Sequence, residues 1–108
     1  MTHTPIQDAI AVRTALAMAA DGSEFTLTAR IGRPFLASGG DWACPVDLSP
    51  LYPRLLDQHG VDSWQALQLC CRLIAQLLVA FEQDGGKLFW PNEREQMAAT
   101  DFAPGLAK

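Results

Sequence analysis

The most constraining feature of this sequence is a long apolar stretch at 63–84 whose few polar residues recur at helical spacing. Asp62 or Ser63 can act as the N-cap, and Asp62 with Gln65 three residues later has the form of a capping box. Two glycines at 85–86 supply the stop. Because apolar residues cover most of its circumference, this helix must be buried on more than one side. The polar stripe consists of Gln65, Gln68, Arg72, Gln76 and Gln83.

Residues upstream of the helix predict a β-hairpin. The segment 24–31 alternates apolar and polar residues, which is the period-two pattern of a half-buried strand. The Asp-Gly pair at 21–22 is typical of tight hairpin turns and favours a second strand over 9–20. The alanines of 9–20 also have helix propensity, so a helix there is the open alternative. One face of the strand would carry Ile10, Val12, Thr14 and Leu16.

Two further strands are predicted from shorter patterns. The segment 41–48 is apolar, but Pro45 cannot donate to a ladder, which indicates an edge strand or a strand broken by a bulge. A proline-containing connection follows at 49–60. After the helix, 87–90 predicts a short strand that a proline ends.

The predicted fold class is α+β, with elements in the order β-β-β-α-β. A small antiparallel sheet must cover its hydrophobic face, and the single long helix is the available cover. We therefore expect a flexible N-terminus at 1–9, one α+β domain at 10–90 and a C-terminal tail at 91–108, in which no firm pattern is seen.

Charge and hydropathy exclude several classes of function. The net charge is -4, and the eight basic residues are dispersed, whereas phosphate-binding proteins cluster theirs. We therefore expect neither nucleic acid nor an anionic membrane surface as partner. Residues 1–5 lack the start of a secretory signal, and polar residues interrupt the apolar stretch 67–81, which argues against a membrane span. These features predict a cytoplasmic protein.

The cysteines predict structural roles rather than chemistry. Cys70 and Cys71 are adjacent on the helix, about 100° apart, so they cannot easily bind one ion together with Cys44. A cysteine nucleophile would need a base, and only His3 and His59 exist. We expect three reduced, metal-free thiols, no cofactor and no catalytic residue.

Arg30 and Arg33 form the most suggestive polar cluster. Two guanidinium groups near a glycine could bind a carboxylate or phosphate bidentately. The alternative is a strand end whose arginines are solvated or paired with carboxylates.

Three segments of this chain together resemble a family of small bacterial proteins that is catalogued only as a domain of unknown function. The resemblance spans roughly residues 10–90, and it implies that the segments matter to a shared fold or site without implying an activity. The segments are Arg-Ile-Gly-Arg-Pro at 30–34, Asp-Trp-Ala-Cys-Pro-Val at 41–46 and Gly-Val-Asp-Ser-Trp-Gln-Ala-Leu-Gln-Leu at 60–69. The candidate binding residues are Arg30, Arg33, Asp41 and Trp42.

These features favour a small cytoplasmic protein–protein interaction domain that forms a homodimer, since the helix offers two apolar surfaces and the sheet takes one. The partner is not specified; an immunity- or antitoxin-like protein is one version, by analogy. Cover from the N-terminal segment or the tail is the alternative to self-association. The alternative functions are a small-molecule or anion-binding domain that uses Arg30 and Arg33, and a small enzyme.

Overall fold

The computed structural model describes residues 2–103 of the chain. Met1 and residues 104–108, the end of the predicted tail, lie outside the described residues. The predicted α+β class is confirmed, with antiparallel strands and one long helix. The elements are β1 (Ala9–Met18), β2 (Glu24–Gly32), β3 (Phe35–Leu36), β4 (Trp42–Cys44), β5 (Val46–Ser49), β6 (Gln58–Gly60), α1 (Ser63–Gln83), β7 (Lys87–Phe89), β8 (Gln96–Met97) and a 3-10 helix (Ala99–Phe102).

The described strands form two antiparallel sheets where the sequence indicated one. The larger sheet has the order β5-β2-β1-β7-β8, and the smaller has the order β3-β4-β6. The predicted break at Pro45 is confirmed, and it separates β4 from β5. These two strands lie in different sheets, so the break passes the chain from one sheet to the other.

Strands β1 and β2 form a hairpin, which confirms that the segment 9–20 contains a strand rather than a helix. Gly22, in the hairpin turn, has a φ of +90°. The core-facing side of β1 carries Ala15 and Ala17, both fully buried. Ile10 and Val12 are instead 42% and 59% exposed. The core-facing side of β1 therefore consists of small alanines, and the larger β-branched residues lie on the exposed side.

Helix α1 begins and ends where the sequence predicts. The Asp62 carboxylate accepts the Gln65 N–H at 2.8 Å, while the Gln65 side chain accepts the Val61 N–H at 2.8 Å, one residue earlier than in a capping box. At the other end, Gly85 takes a φ of +99°. The predicted polar stripe is exposed. The buried residues are Ala66, Cys70, Ile74, Ala75 and Leu78.

The length and mean hydropathy of α1, 1.4, are sufficient for a membrane span. Core helices of soluble domains can be equally long and apolar. Here α1 packs against strands of both sheets and contributes five buried residues to the core, while 28% of its most apolar window is buried.

The chain after Trp90 completes the core, although its sequence shows no firm pattern. Strand β8 pairs with β7, and Met97 is 2% exposed. Ala99, at the start of the 3-10 helix, is fully buried and donates its N–H to the Glu82 carboxylate at 3.1 Å. The 3-10 helix packs against α1. Part of the second apolar surface of α1 is therefore covered within the chain.

The N-terminal residues contact the connection before β6. Thr4 donates its backbone N–H and its hydroxyl to the two carboxylate oxygens of Asp57, at 2.9 and 2.5 Å. Asp57 is only 2% exposed, and its own N–H donates to the Thr2 carbonyl at 2.7 Å. These bonds provide polar partners for a buried carboxylate, which would otherwise be costly to bury.

Candidate binding groove

The smaller sheet lies against the first turns of α1 because Gly60 has no side chain. A Cβ at this position would lie 2.7 Å from the backbone nitrogen of Ala66. The strand register places Leu36, Trp42 and Gly60 in one row across β3, β4 and β6. Since directly opposite residues share a face of a sheet, Trp42 faces α1 with Gly60, and Leu36 continues the row to the outer strand.

An open groove of about 650 Å³ lies between residues 33–34 and the start of α1. Two indoles, a proline and a leucine provide its apolar surface, and its polar groups are one guanidinium, one hydroxyl and one amide. We call it the Trp42–Trp64 groove. Its lining residues are Arg33, Pro34, Trp42, Ser63, Trp64, Leu67 and Gln68.

Large apolar side chains remain exposed at this end of the molecule. Trp64 is 73% exposed, Val61 is 79% exposed and Leu36 is 62% exposed. Trp42, in contrast, is partly buried and packs against the core. The groove therefore combines a fixed aromatic side chain with accessible apolar side chains that a partner could cover.

Arg33 is the charged residue in the lining of the groove. Within residues 2–103 its guanidinium makes no hydrogen bond or ion pair. It is exposed, so water satisfies its donors in the unbound protein. An arginine without a protein partner beside apolar surface is available to bind an acceptor on a ligand.

The structure places the predicted site residues in three different environments. Arg33 and Trp42 line the groove. Arg30 does not: its guanidinium lies 3.5 Å from the Asp47 carboxylate and donates to the Ile6 carbonyl at 3.0 Å. Arg30 and Arg33 therefore have separate environments. An anion site that uses both arginines stays a prediction, and Arg30 would bind such an anion in addition to its present protein partners.

Asp41, the fourth predicted residue, pairs with His59, whose Nδ1 lies 2.8 Å from the carboxylate. Both side chains are partly exposed. No serine or cysteine of the described chain hydrogen-bonds to this imidazole. Among the described residues, the pair therefore has no serine or cysteine nucleophile beside it.

Asp47 is a buried carboxyl, 7% exposed, beside Arg30. Burial raises its pKa above the ordinary value, and the Arg30 charge opposes that rise in part. One of its oxygens, Oδ1, is buried without a hydrogen-bond partner among the described residues. It lies on the edge strand β5 and does not line the groove.

The three thiols are unpaired and serve the core. The Cys70 thiol donates to the Cys44 carbonyl at 3.4 Å and so links α1 to β4. The Cys44 thiol and burial raise the pKa of Cys70, which stays protonated. Cys71 lines a second cavity of about 300 Å³ between β1, α1 and the 3-10 helix, and burial raises its pKa. In the part of the chain that is described, no three His, Cys, Asp and Glu side chains converge as metal ligands.

Sequence reasoning did not single out five of the seven lining residues. All five come from segments that the family resemblance had marked, but no residue type or spacing distinguished Pro34, Ser63 or Trp64 from structural positions. Leu67 and Gln68 belong to the apolar and polar sides of α1. A large aromatic residue in the first turn of a helix, two residues after its N-cap, was the available signal.

The fold is that of a small α+β domain with two antiparallel sheets and one long helix. The chain belongs to the family described as Domain of unknown function (DUF6968), whose model matches residues 11–100. No curated protein and no solved structure matches the chain.

Proposed function

We propose that this protein is a small protein–protein interaction domain that binds a segment of a partner protein in the Trp42–Trp64 groove. The exposure of Trp64, 73%, beside the partly buried Trp42 carries the proposal. Exposed apolar patches mark interaction sites. Tryptophan and arginine are the residues most enriched among those that dominate binding energy, and the groove has two tryptophans and Arg33.

The open shape of the groove favours a protein over a small molecule. Small-molecule sites usually enclose most of their ligand. Here apolar surface continues beyond the groove, at Leu36 on β3 and at Val61 before α1. A partner segment that follows this surface would cover all three exposed side chains, whereas a compact ligand in the groove would leave Leu36 and Val61 in water.

The origin of the lining residues also supports the proposal. All seven come from the segments 30–34, 41–46 and 60–69. The family match spans these segments, and we propose that they form a binding signature of a bacterial, cytoplasmic family. An immunity- or antitoxin-like role, in which the partner is a toxin, is one form of this function.

A small-molecule ligand is the second candidate. The groove volume, about 650 Å³, lies within the range of roughly 300–1,000 Å³ that is common for such sites. Arg33 would then bind a carboxylate or phosphate without help from Arg30.

Peptide selection tests the leading proposal. Random peptides displayed on phage would be selected on the wild-type protein, and the affinity of the enriched peptides measured by fluorescence anisotropy. We expect Trp64→Ala to weaken binding at least about 30-fold, because a central tryptophan typically contributes 2 kcal/mol or more. The control is Gln76→Ala, an exposed position on α1 outside the groove. Equal affinity for wild type and Trp64→Ala would refute the groove as the binding site.

We also propose that the protein forms a homodimer through β1 rather than through α1. Of the residues in β1, only 16–18 pair with strand β7. Residues 10–14 are all exposed, and the described chain places no strand beside them opposite β2. An unpaired, apolar strand edge is a template for another strand. A second copy related by a two-fold axis at Val12 would pair two valines and keep the two Arg13 side chains from facing each other.

Sedimentation of the full chain at micromolar concentration tests this dimer. We expect a mass twice that of the 11.8 kDa chain. Val12→Lys should raise the dissociation constant at least about tenfold, because it places like charges opposite each other. Gln76→Lys adds the same charge on the exposed stripe of α1 and should leave the dimer intact. A wild-type mass of one chain, or loss of the dimer in Gln76→Lys alone, would reject pairing through β1.

A further inference from the structure

We infer that the occupant of the Trp42–Trp64 groove is a peptide segment in which an internal Asp or Glu follows an apolar side chain, with the carboxylate bound by Arg33. This inference rests on the proposed function and specifies its ligand.

The charge of the lining residues indicates that the ligand is anionic. Arg33 is the one charged side chain among the seven lining residues, and no described carboxylate pairs with it. The other polar groups, Ser63 and Gln68, are neutral. A cationic donor with neutral neighbours favours an anionic acceptor, and a guanidinium binds a carboxylate with two parallel hydrogen bonds.

The apolar lining residues indicate that the ligand also has an apolar side chain. The side chains of Trp42, Trp64 and Leu67 form a surface on which an aromatic or aliphatic side chain can pack. Trp64 loses solvent contact only if such a group covers it, since the described chain leaves it 73% exposed. Aromatic pairs gain free energy beyond that of area burial alone. The ligand therefore needs an apolar group within one or two residues of its carboxylate.

The continuation of apolar surface assigns the carboxylate to a side chain rather than to a chain end. Two exposed apolar side chains lie beyond the lining residues. Leu36 lies opposite Trp42 in the smaller sheet, and Val61 is the residue before the α1 N-cap. A segment that passes through the groove can contact both, whereas a C-terminal carboxylate would end the segment at Arg33.

Three matched probes test this inference by NMR titration. They are acetyl-Phe-Glu-Leu-amide, its Gln counterpart acetyl-Phe-Gln-Leu-amide, and acetyl-Phe-Gln-Leu with a free α-carboxyl. The indole N–H signals of Trp42 and Trp64 report the groove, and Trp90, which does not line it, is the internal control. We expect the Glu probe to bind about fivefold more tightly than the Gln probe, in keeping with one partly exposed ion pair. Salt should reduce this ratio.

Paired arginine variants identify the group responsible. Arg33→Gln should reduce the ratio of the Glu and Gln probes to near one, while Arg72→Gln, an exposed arginine on α1 outside the groove, should leave it unchanged. Equal binding of these two probes to wild type, with shifts at Trp42 and Trp64, would overturn the acidic preference and leave the interaction groove in place. Tighter binding of the free-acid probe would overturn the internal carboxylate. Shifts at Trp90 alone, or none at millimolar probe, would overturn both proposals.

Discussion

Replacing Gly60 by alanine should lower the free energy of unfolding by about 3 kcal/mol, near the upper end of the usual cost of overpacking. The new Cβ would lie 2.7 Å from the Ala66 backbone nitrogen and 3.0 Å from the Gln65 side chain. The Gln65 Oε1 can rotate away, but the Gln65 Cβ is held by the helix backbone. The nitrogen of Ala66 belongs to the α1 backbone, so the smaller sheet and the helix must separate. Urea denaturation monitored by circular dichroism measures the loss.

Gly39→Ala is the matched control for this change. Its Cβ would meet only the Asp41 carboxylate, at an ordinary contact distance of 3.7 Å. We expect a change within about 0.5 kcal/mol, which is typical of an exposed substitution. If both variants lost the same stability, the close packing of Gly60 on α1 would not be the cause.

The same substitution links the fold to the groove. Trp42 lies on the strand that pairs with Gly60, while Trp64 lies on the helix that Gly60 contacts. Separation of the smaller sheet from α1 should therefore move the two indoles apart. Peptides that bind through the Trp42–Trp64 groove should bind Gly60→Ala less well, even under conditions in which the variant remains folded.

Local pattern was sufficient to predict the long elements. The ends of α1 follow from Asp62 and Gly85, whose conformational preferences act within a few residues. Strand β2 follows from alternation, which continues over all of its length. Pro45 marks the break between β4 and β5 because it lacks an N–H whatever its tertiary surroundings.

The smaller sheet could not be predicted in this way. Strands β3 and β6 contain two and three residues, Phe35–Leu36 and Gln58–Gly60, too few to show a period. They pair through β4, so their position depends on long-range contacts. The groove inherits that dependence, because its lining joins three segments that are distant in sequence.

The two arginines illustrate the same limit at the level of a site. Their spacing in sequence suggested a common anion, but Arg30 lies within β2 opposite Asp47 of β5, and that neighbour is invisible in the sequence. Arg33 follows the end of β2 and has no such neighbour. Arg33 and Trp42 line the same groove, and their role in binding stays a prediction.

Removing all residues after Trp90 should abolish cooperative unfolding. Met97 and Ala99 are 2% and 0% exposed and belong to the main core. Loss of β8 would also uncover Leu88, which pairs with Met97 and is fully buried. Each large apolar side chain exposed in this way costs about 1.5–3 kcal/mol. Loss of the 3-10 helix from α1 adds to that cost, so the total approaches the stability of a whole domain, roughly 5–15 kcal/mol.

A chain that ends at Ala103 is the control, since it retains every residue that the structure describes and should unfold like the full protein. Met97→Ala in the full chain provides a graded version and should lower the free energy of unfolding by about 2–5 kcal/mol. Thermal and urea denaturation, with amide proton dispersion as a test of a fixed core, compare all four proteins. The domain predicted at 10–90 would be sufficient by itself if the chain ending at Trp90 unfolded cooperatively near the wild-type midpoint. In that case Met97 would contribute little, and Met97→Ala should be nearly as stable as wild type. A large loss of stability in Met97→Ala, together with no cooperative transition in the shortened chain, would show that residues 91–103 are an integral part of the fold.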